Sequence, residues 1–279
     1  METKIVLIQR IMYVFRLSMI QQITLMGGYG RSGKPENVNR IDLKMGDVVS
    51  IVGPTGSGKT TLINDIELFA DANTPTGRRV LFDGAPATRE IRNDPSRHPI
   101  ALITQHTSFL SDLPVGVFLE THARIRSVDD AVRRNIVERT LDFANQLTGE
   151  PIGSSVRMTE LSGGQTRALL IADATIVCDT PIVLLDEVEN AGINRTRALE
   201  LLRRERKIFI FVTHDPRIAL LSDYRIVMRA GSIIDVLETN AEEKQLSTAV
   251  TRMDECLSGL RDTLRMGGRV TAAAMGGML

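Results

Sequence analysis

Two short segments of the chain are almost entirely hydrophobic, and each lies next to segments with a helical pattern. They are residues 181–185, Pro-Ile-Val-Leu-Leu, and residues 208–213, Ile-Phe-Ile-Phe-Val-Thr. A third apolar segment, residues 48–53, ends at a glycine. Short continuous runs of this kind predict buried strands. Their alternation with helical segments predicts a parallel sheet that is covered on both faces.

Hydrophobic positions three and four residues apart predict the helices. In residues 59–70 they fall at positions 62, 63, 66 and 69. Further helices are predicted at 115–149, 165–177, 195–205 and 241–265, strands at 79–83 and 99–104, a hairpin at 224–235, and a loose tail at 266–279. The sequence has no internal repeat. It therefore predicts one α/β domain with a subdomain.

Composition narrows the classes of function. The 279 residues are enough to bury a sizeable core, and 34 Lys and Arg balance 34 Asp and Glu. The chain has no overall positive charge that would favour nucleic acid, so we expect no nucleic-acid partner. The two cysteines, Cys178 and Cys256, lack CxxC spacing. This argues against a disulfide framework or a zinc site and favours buried thiols in a reducing cytosol.

The N-terminal segment is apolar but interrupted. Residues 5–8 and 11–15 are hydrophobic, whereas Gln9 and Arg10 separate them. A spanning helix needs about 20 mostly apolar residues, and a signal peptide needs an uninterrupted apolar region. We therefore expect a cytoplasmic protein. Residues 1–18 are expected to form an extension that is packed, poorly ordered or an amphipathic helix at a membrane surface.

A glycine-rich segment, Gly28–Lys34, matches two phosphate-binding patterns, GxGxxG and GxxxxGK. A phosphate loop also needs Ser or Thr after the lysine, and a helix whose N-terminal amides face the phosphate. Here Pro35 follows, and the next residues show no helical period. We interpret this segment as a glycine-rich turn.

A second segment fits G-x-x-x-x-G-K-[ST] throughout and lies between a predicted strand and a predicted helix, the context that the motif requires. Its glycines allow backbone N–H groups to surround phosphates. Lys59 adds positive charge at the β/γ oxygens, and the Thr60 hydroxyl can bind Mg²⁺. The predicted ATP-binding residues are Gly53, Pro54, Thr55, Gly56, Ser57, Gly58, Lys59, Thr60 and Thr61.

Two carboxylates end the apolar segment that starts at residue 182. Open α/β sheets place ligands at the carboxyl ends of their strands. Asp186 suits the role of the carboxylate that binds Mg²⁺ in the second motif of phosphate-loop enzymes. Glu187 is placed to polarise the attacking water as general base. With the phosphate loop, the pair predicts an ATPase that yields ADP and phosphate.

Residues 161–165, Leu-Ser-Gly-Gly-Gln, resemble the signature motif of ABC (ATP-binding cassette) ATPases. A serine and two glycines at the start of a predicted helix form a second anion-binding helix N-terminus. In that family two cassettes pack head to tail, and each ATP lies between one phosphate loop and the other chain's signature. The resemblance implies that Ser162, Gly163, Gly164 and Gln165 contact ATP in a homodimer or heterodimer.

The resemblance covers about residues 23–236 and assigns further roles. It implies that Gln105 contacts Mg²⁺ and the attacking water, that His214 contacts the γ-phosphate, and that Tyr29 stacks on adenine. The implied catalytic residues are Glu187, His214, Gln105 and Lys59, and the implied metal ligands are Thr60, Gln105 and Asp186. The remaining histidines match no family position and are interpreted as structural or surface residues: His98, His106 and His122.

The implied fold is a P-loop NTPase with a mostly parallel sheet core, a small antiparallel β part and an inserted α-helical subdomain at about residues 106–165. The ATPase domain would cover residues 19–240. Residues 241–279 would form a C-terminal helix and a flexible tail.

Three departures from the family pattern leave the partner open. The loop 188–194 lacks the usual aspartate, Asp173 stands where transporter subunits carry arginine, and residues 155–160 match neither importers nor exporters. One hypothesis is the ATPase subunit of a transporter, bound to a separate membrane permease at the inner face of the plasma membrane. The alternative is a soluble ABC ATPase that remodels or activates a protein complex such as a metalloenzyme.

Overall fold

The structure, a computed structural model, describes residues 20–94, 98–126, 130–186 and 195–269. The predicted extension at 1–18 and the end of the predicted tail lie outside these ranges. Glu187 and the altered loop 188–194 also lie outside them.

The structure contains the predicted strands and helices and adds three strands, at 22–26, 40–44 and 85–86, and two short helices, at 89–93 and 216–221, that the hydrophobic pattern did not predict. In chain order the strands are β1 (Gln22–Met26), β2 (Arg40–Lys44), β3 (Val48–Val52), β4 (Arg79–Phe82), β5 (Ala85–Pro86), β6 (Ile100–Ile103), β7 (Ile182–Asp186), β8 (Ile208–Val212), β9 (Tyr224–Arg229) and β10 (Ser232–Glu238). The helices are α1 (Lys59–Glu67), α2 (Arg89–Asn93), α3 (Val115–Arg126), α4 (Asp130–Leu147), α5 (Gly163–Ala172), α6 (Arg195–Arg204), α7 (Pro216–Leu221) and α8 (Ala241–Arg265).

A six-stranded sheet in the order β10–β9–β3–β8–β7–β6 carries the core. The strands from β9 to β6 are mutually parallel, and only β10 is antiparallel. Successive side chains of a strand point to opposite faces, so Phe209 and Phe211 join one hydrophobic cluster while Ile208 and Ile210 join the other. Both faces are therefore covered, which explains why β8 is buried along its whole length.

A smaller antiparallel sheet in the order β2–β1–β4–β5 packs beside α1. Strand β2 alternates between buried and exposed positions, with Ile41 and Leu43 buried between polar residues. The two sheets and α1 thus share one hydrophobic cluster. The helices α3, α4, α5 and α6 contribute to the cluster on the opposite face of the large sheet.

The predicted fold class is confirmed: a mixed, mostly parallel sheet, a small antiparallel sheet and a helical part. Some element boundaries differ from the prediction. The helix predicted at 59–70 ends at Glu67 because the chain turns at Phe69, whose φ is 52°. The helical pattern predicted at about 115–149 corresponds to two helices, α3 and α4.

The helix predicted at 165–177 starts two residues earlier, since Ser162 is its N-cap. After α5 the helical path continues as a π-helical turn over Asp173–Val177. The Cys178 N–H donates to the Asp173 carbonyl oxygen at 2.8 Å, five residues back. This wider turn moves the side chains after residue 172 away from the direction that a regular α-helix would give them.

Within the described ranges, no helix is both long and apolar enough to cross a membrane.

Candidate nucleotide-binding site

The phosphate loop joins β3 to α1 through a tight glycine-rich turn. Gly53 has φ of 152°, and a Cβ there would lie 2.3 Å from the Met228 carbonyl oxygen. Gly58 has φ of 102°, and its Cβ would lie 2.9 Å from the Cα of Gly231. Both positions therefore require glycine, because the backbone approaches β9 and the turn after it too closely for a side chain.

The loop leaves its polar groups arranged for an anion. Gly58 caps α1 without a side-chain hydrogen bond, and no acidic residue stands in the first turn. The first-turn amides of a helix without such a cap are donors for phosphate. The Ser57 hydroxyl is buried and has no hydrogen-bond partner in the described structure. These features fit a nucleotide phosphate, which would supply the missing acceptors.

The Lys59 side chain folds back over the phosphate loop. Its Nζ donates to the carbonyl oxygens of Gly53 at 2.9 Å and Pro54 at 3.3 Å. The residue is only 7% exposed. The ammonium is thus held inside the loop by two backbone carbonyl oxygens. Thr60 and Thr61, in the first turn of α1, are exposed.

The carboxyl ends of four parallel strands bring the other candidate residues to the same edge of the sheet. Asp186 is in register with Val212, and Val212 is in register with Ile51 of β3. The residues that follow these strands therefore lie in a row along this edge, in the order of the strands: Gly53 after β3, Thr213 and His214 after β8, and Gln105 after β6. This edge is where the sequence predicted ligand binding, and the half-buried Asp186 lies there at the end of β7.

His214 is exposed, and the residues on either side hold it in place. The Thr213 hydroxyl accepts from the Asp215 N–H at 2.8 Å. Asp215 in turn caps α7 by accepting from the Arg217 N–H at 2.8 Å, and it pairs with the Arg217 guanidinium at 2.6 Å. Sequence analysis gave Asp215 and Arg217 no role. The Asp-Pro pair before a short apolar segment was the available signal, because it is typical of a helix start.

Gln105 is exposed after β6, and its backbone is tied to α5. The Arg167 Nη2 donates to the Gln105 carbonyl oxygen at 3.0 Å. No role was predicted for Arg167. The contact spans 62 positions of the chain, so no local pattern could have indicated it.

The signature residues form a capping box at the start of α5. The Ser162 Oγ accepts from the Gln165 N–H at 3.3 Å, and the Gln165 Oε1 accepts from the Ser162 N–H at 2.9 Å. Ser162 and Gly163 are exposed. The helix N-terminus that they form belongs to the helical part of the fold, since α5 packs on α4.

Tyr29 lies in the glycine-rich turn that sequence analysis separated from the phosphate loop. That interpretation is confirmed: the Gly30 N–H donates to the Lys34 carbonyl oxygen at 3.0 Å, and no helix follows. The Tyr29 ring lies against Gly77, where a Cβ would be 3.1 Å from the ring, and the residue is 53% exposed. One side of the aromatic ring is thus supported and the rest is accessible.

A buried ion triad connects this turn to the phosphate loop. The Arg78 guanidinium donates to Glu36 at 2.6 Å and to Asp65 of α1 at 2.9 Å. It also donates to the Gly231 carbonyl oxygen at 2.9 Å, while the Gly231 N–H donates to the Ser57 carbonyl oxygen at 2.7 Å. Arg78 therefore holds the two turns that border the phosphate loop.

Glu36 is ionised in this triad. Burial alone would raise the pKa of its carboxyl group. The hydrogen bonds from Arg78 and from the N–H groups of Gly28 and Ile233 outweigh burial, and the pKa is lowered. Sequence analysis missed the triad because its members lie far apart in the chain.

Comparison with known proteins identifies the family. The profile of the ABC transporter family matches residues 37–190. An uncharacterised ABC transporter ATP-binding protein of Methanocaldococcus jannaschii is 46% identical over 252 residues, which cover 90% of this chain and 95% of that protein. The chain belongs to the ABC transporter family. It is an ATP-binding cassette subunit and an ATPase, so the family and the activity predicted from the motifs are confirmed.

Other relatives of the cassette include both exporters and importers. A beta-(1→2)glucan export ATP-binding/permease protein of Rhizobium etli is 31% identical over 73% of this chain, which spans 36% of that protein. A spermidine/putrescine import ATP-binding protein of Mannheimia succiniciproducens is 30% identical over 77% of the chain and 56% of that protein. The chain thus spans about a third of the length of the first of these relatives and slightly more than half of the second.

Solved structures support the fold. A cassette solved as a post-hydrolysis dimer with ADP and Pi aligns with a TM-score of 0.58 at 23% identity, over 78% of this chain and 99% of that one. A Clostridium perfringens cassette, part of the ABC transporter complex CbiONQ, aligns with a TM-score of 0.61 at 20% identity, over 88% and 98% of the two chains.

Proposed function

We propose that the cassette pairs with a second cassette, identical or homologous, and closes around two ATP molecules with Mg²⁺. The observation that carries this proposal is that the two helices with anion-binding N-termini pack against opposite faces of the large sheet. One follows the phosphate loop at α1, and the other, at Ser162, starts α5 in the helical part and is exposed. A partner chain would bring its own signature to each phosphate loop.

The residues at the sheet edge would divide the chemistry. Lys59 and the first-turn amides of α1 would hold the phosphates, and Tyr29 would stack on adenine. Thr60, Asp186 and Gln105 offer the oxygen ligands that Mg²⁺ prefers. When bound, Mg²⁺ would neutralise charge on the β- and γ-phosphates.

The hydrolytic step would use two residues at the same edge. Glu187, directly after Asp186, would polarise the attacking water, and His214 would contact the γ-phosphate. Binding would close the pair of cassettes, and hydrolysis would reopen it.

A separate membrane permease is the partner that we propose, with the cassette at the cytoplasmic face of the membrane. The family match and the exporter and importer relatives support a transport role. The domain limits that we propose follow the same reading: an ATPase domain at 19–240 with a helical subdomain at about 106–165, and a C-terminal region at 241–279.

Replacing Ser162 by arginine tests the shared site. In the proposed pair, the longer cationic side chain would occupy the space for the γ-phosphate of the ATP bound in the partner's phosphate loop. We therefore expect ATPase activity to fall to background while the monomer still binds ATP. Steady-state phosphate release and nucleotide titration measure the two effects. Ser162→Thr is the matched control, because it retains the capping hydroxyl. Full activity in Ser162→Arg would rule out the paired arrangement.

The partner is tested with Glu187→Gln, which should bind Mg-ATP and turn it over at least about 100-fold more slowly, the effect of losing a general base. Tagged Glu187→Gln is purified with Mg-ATP from detergent-solubilised membranes and from the aqueous fraction. We expect a polytopic membrane protein at near-stoichiometric yield. The control is Glu187→Gln combined with Lys59→Ala, which should not close. Recovery of an enzyme complex without a permease would instead establish the remodelling function.

A further inference from the structure

Three side chains with metal-binding atoms meet on the helical part of the fold, away from the nucleotide site. His122 lies on α3, Asp173 begins the π-helical turn after α5, and Cys178 follows that turn. Their ligand atoms all lie within 4.8 Å of one another. No residue of this cluster takes part in the proposed ATP chemistry.

The π-helical turn creates the cluster. In an α-helix each residue advances about 100° around the axis, so residues five apart point about 140° away from each other. Here the hydrogen bond from the Cys178 N–H to the Asp173 carbonyl oxygen closes a wider turn. The Cys178 Sγ consequently lies 3.8 Å from the Asp173 Oδ2.

His122 places its two ring nitrogens near the other two side chains. Its Nδ1 lies 2.8 Å from the Asp173 Oδ1, and its Nε2 lies 3.9 Å from the Cys178 Sγ. The two nitrogens of an imidazole point in different directions, so a carboxylate that is hydrogen-bonded to one nitrogen cannot reach an ion on the other. For Asp173 to be a ligand, the ion has to take the place of this hydrogen bond and bind the His122 Nδ1.

The distances suit a tetrahedral ion. Zn²⁺ bonds of about 2.3 Å to sulfur and about 2.0–2.1 Å to nitrogen or oxygen place those ligand atoms about 3.5 Å apart. The Cys178 Sγ lies 3.8 Å from the Asp173 Oδ2, and the His122 Nδ1 lies 2.8 Å from the Asp173 Oδ1, so small side-chain shifts would admit the ion between these atoms. His122 and Cys178 are half-buried, so water can complete the coordination.

We propose that His122, Asp173 and Cys178 form a binding site for a divalent ion of the Zn²⁺ class. A thiolate with an imidazole selects such an ion over Mg²⁺ or Ca²⁺, which prefer oxygen ligands. The ion takes the place of the thiol proton and of the proton between the His122 Nδ1 and the Asp173 carboxylate. It joins α3 to the end of the signature helix α5. The spacing of the two cysteines argued against a zinc site, but it could not show a mixed site whose ligands come from separate segments.

The competing arrangement is an ion pair without metal. The Asp173 carboxylate and the neighbouring Cys178 raise the pKa of His122 to about 10, so the pair is stable on its own. This arrangement predicts no specific affinity for metal and no dependence on the thiol. Metal binding and its dependence on Cys178 therefore distinguish the two.

The test titrates Co²⁺ into the full chain, stripped with chelator and free of nucleotide, and then displaces it with Zn²⁺. We expect one Co²⁺ per chain, with thiolate-to-cobalt charge-transfer absorption in the near ultraviolet. Cys178→Ala should abolish this absorption, and His122→Gln should weaken binding at least about 10-fold. Cys256→Ala and His106→Gln are the matched controls and should behave as wild type.

A second measurement needs no variant that could misfold. Zn²⁺ should slow alkylation of Cys178 in the wild-type chain, while Cys256 in the same sample reacts at an unchanged rate, as followed by mass spectrometry. Absence of the charge-transfer band, its persistence in folded Cys178→Ala, or equal alkylation of Cys178 with and without Zn²⁺ would overturn the proposal.

Discussion

Replacing Lys59 by alanine is expected to lower the affinity for ATP at least about 100-fold, a loss of about 3 kcal/mol. The ammonium is held inside the phosphate loop by two carbonyl oxygens, and it is the positive side chain of a site otherwise built from backbone amides. Charge-assisted hydrogen bonds to phosphate oxygens are the strong ones in such a site. Titration with a fluorescent ATP analogue in the presence of Mg²⁺ measures the change.

The chain contains its own control for this variant. Lys34 ends the other glycine-rich match, yet it is exposed and no helix follows it. Lys34→Ala should bind ATP as wild type does. Wild-type affinity in Lys59→Ala together with a loss in Lys34→Ala would reverse the assignment of the phosphate loop. Urea unfolding of both variants would show whether a loss of affinity comes from the site or from the fold.

The parts of this protein that local sequence determines could be predicted closely. The phosphate loop combines a buried strand, a glycine turn and the helix start, all within about 20 residues. The strands β7 and β8 are continuous apolar runs, since a parallel sheet between two helical layers buries both of their faces. The signature was recognisable because a capping serine and its glycines are contiguous.

Properties that depend on distant residues could not be predicted. The order of the strands places β8 between β3 and β7, and no pattern in the sequence specifies that order. Arg167 contacts the Gln105 backbone across 62 positions. His122 was interpreted as structural or surface, and only the fold brings it to Asp173. The π-helical turn has a sequence that continues a helical pattern, so periodicity predicted an ordinary helix there.

Glu187 marks another limit. Its assignment as general base stays a prediction from the sequence, because the residue lies outside the described ranges. The structure does describe the preceding Asp186 at the carboxyl end of β7, in register with β8. The structure therefore establishes the strand that ends at Asp186, the residue directly before Glu187 in the sequence.

Replacing Arg78 by methionine is expected to lower the free energy of unfolding by about 3–5 kcal/mol, the usual cost of breaking a buried ion pair by removing one partner. The Glu36 and Asp65 side chains are 0% and 4% exposed, so the variant leaves two carboxylates buried without their cation. Urea unfolding followed by circular dichroism measures the loss. Arg79→Met is the matched control: Arg79 is exposed and its distance to Asp71 is 3.7 Å, so we expect less than about 1 kcal/mol.

The pH dependence of the stability loss in Arg78→Met distinguishes the effect of an unpaired charge from the effect of lost packing. In wild type the pKa of Glu36 is lowered from its usual value of 4.5. Ionised Glu36 therefore contributes fully to the free energy of unfolding above pH 4.5, and this contribution is lost as pH falls through the folded-state pKa. In Arg78→Met the opposing effect of burial remains, and protonation of Glu36 at low pH removes the uncompensated charge. The stability difference between wild type and variant should therefore shrink on acidification. A difference that stays constant from neutral pH to the acid side of Glu36 titration would assign the loss to the packing of the arginine side chain instead.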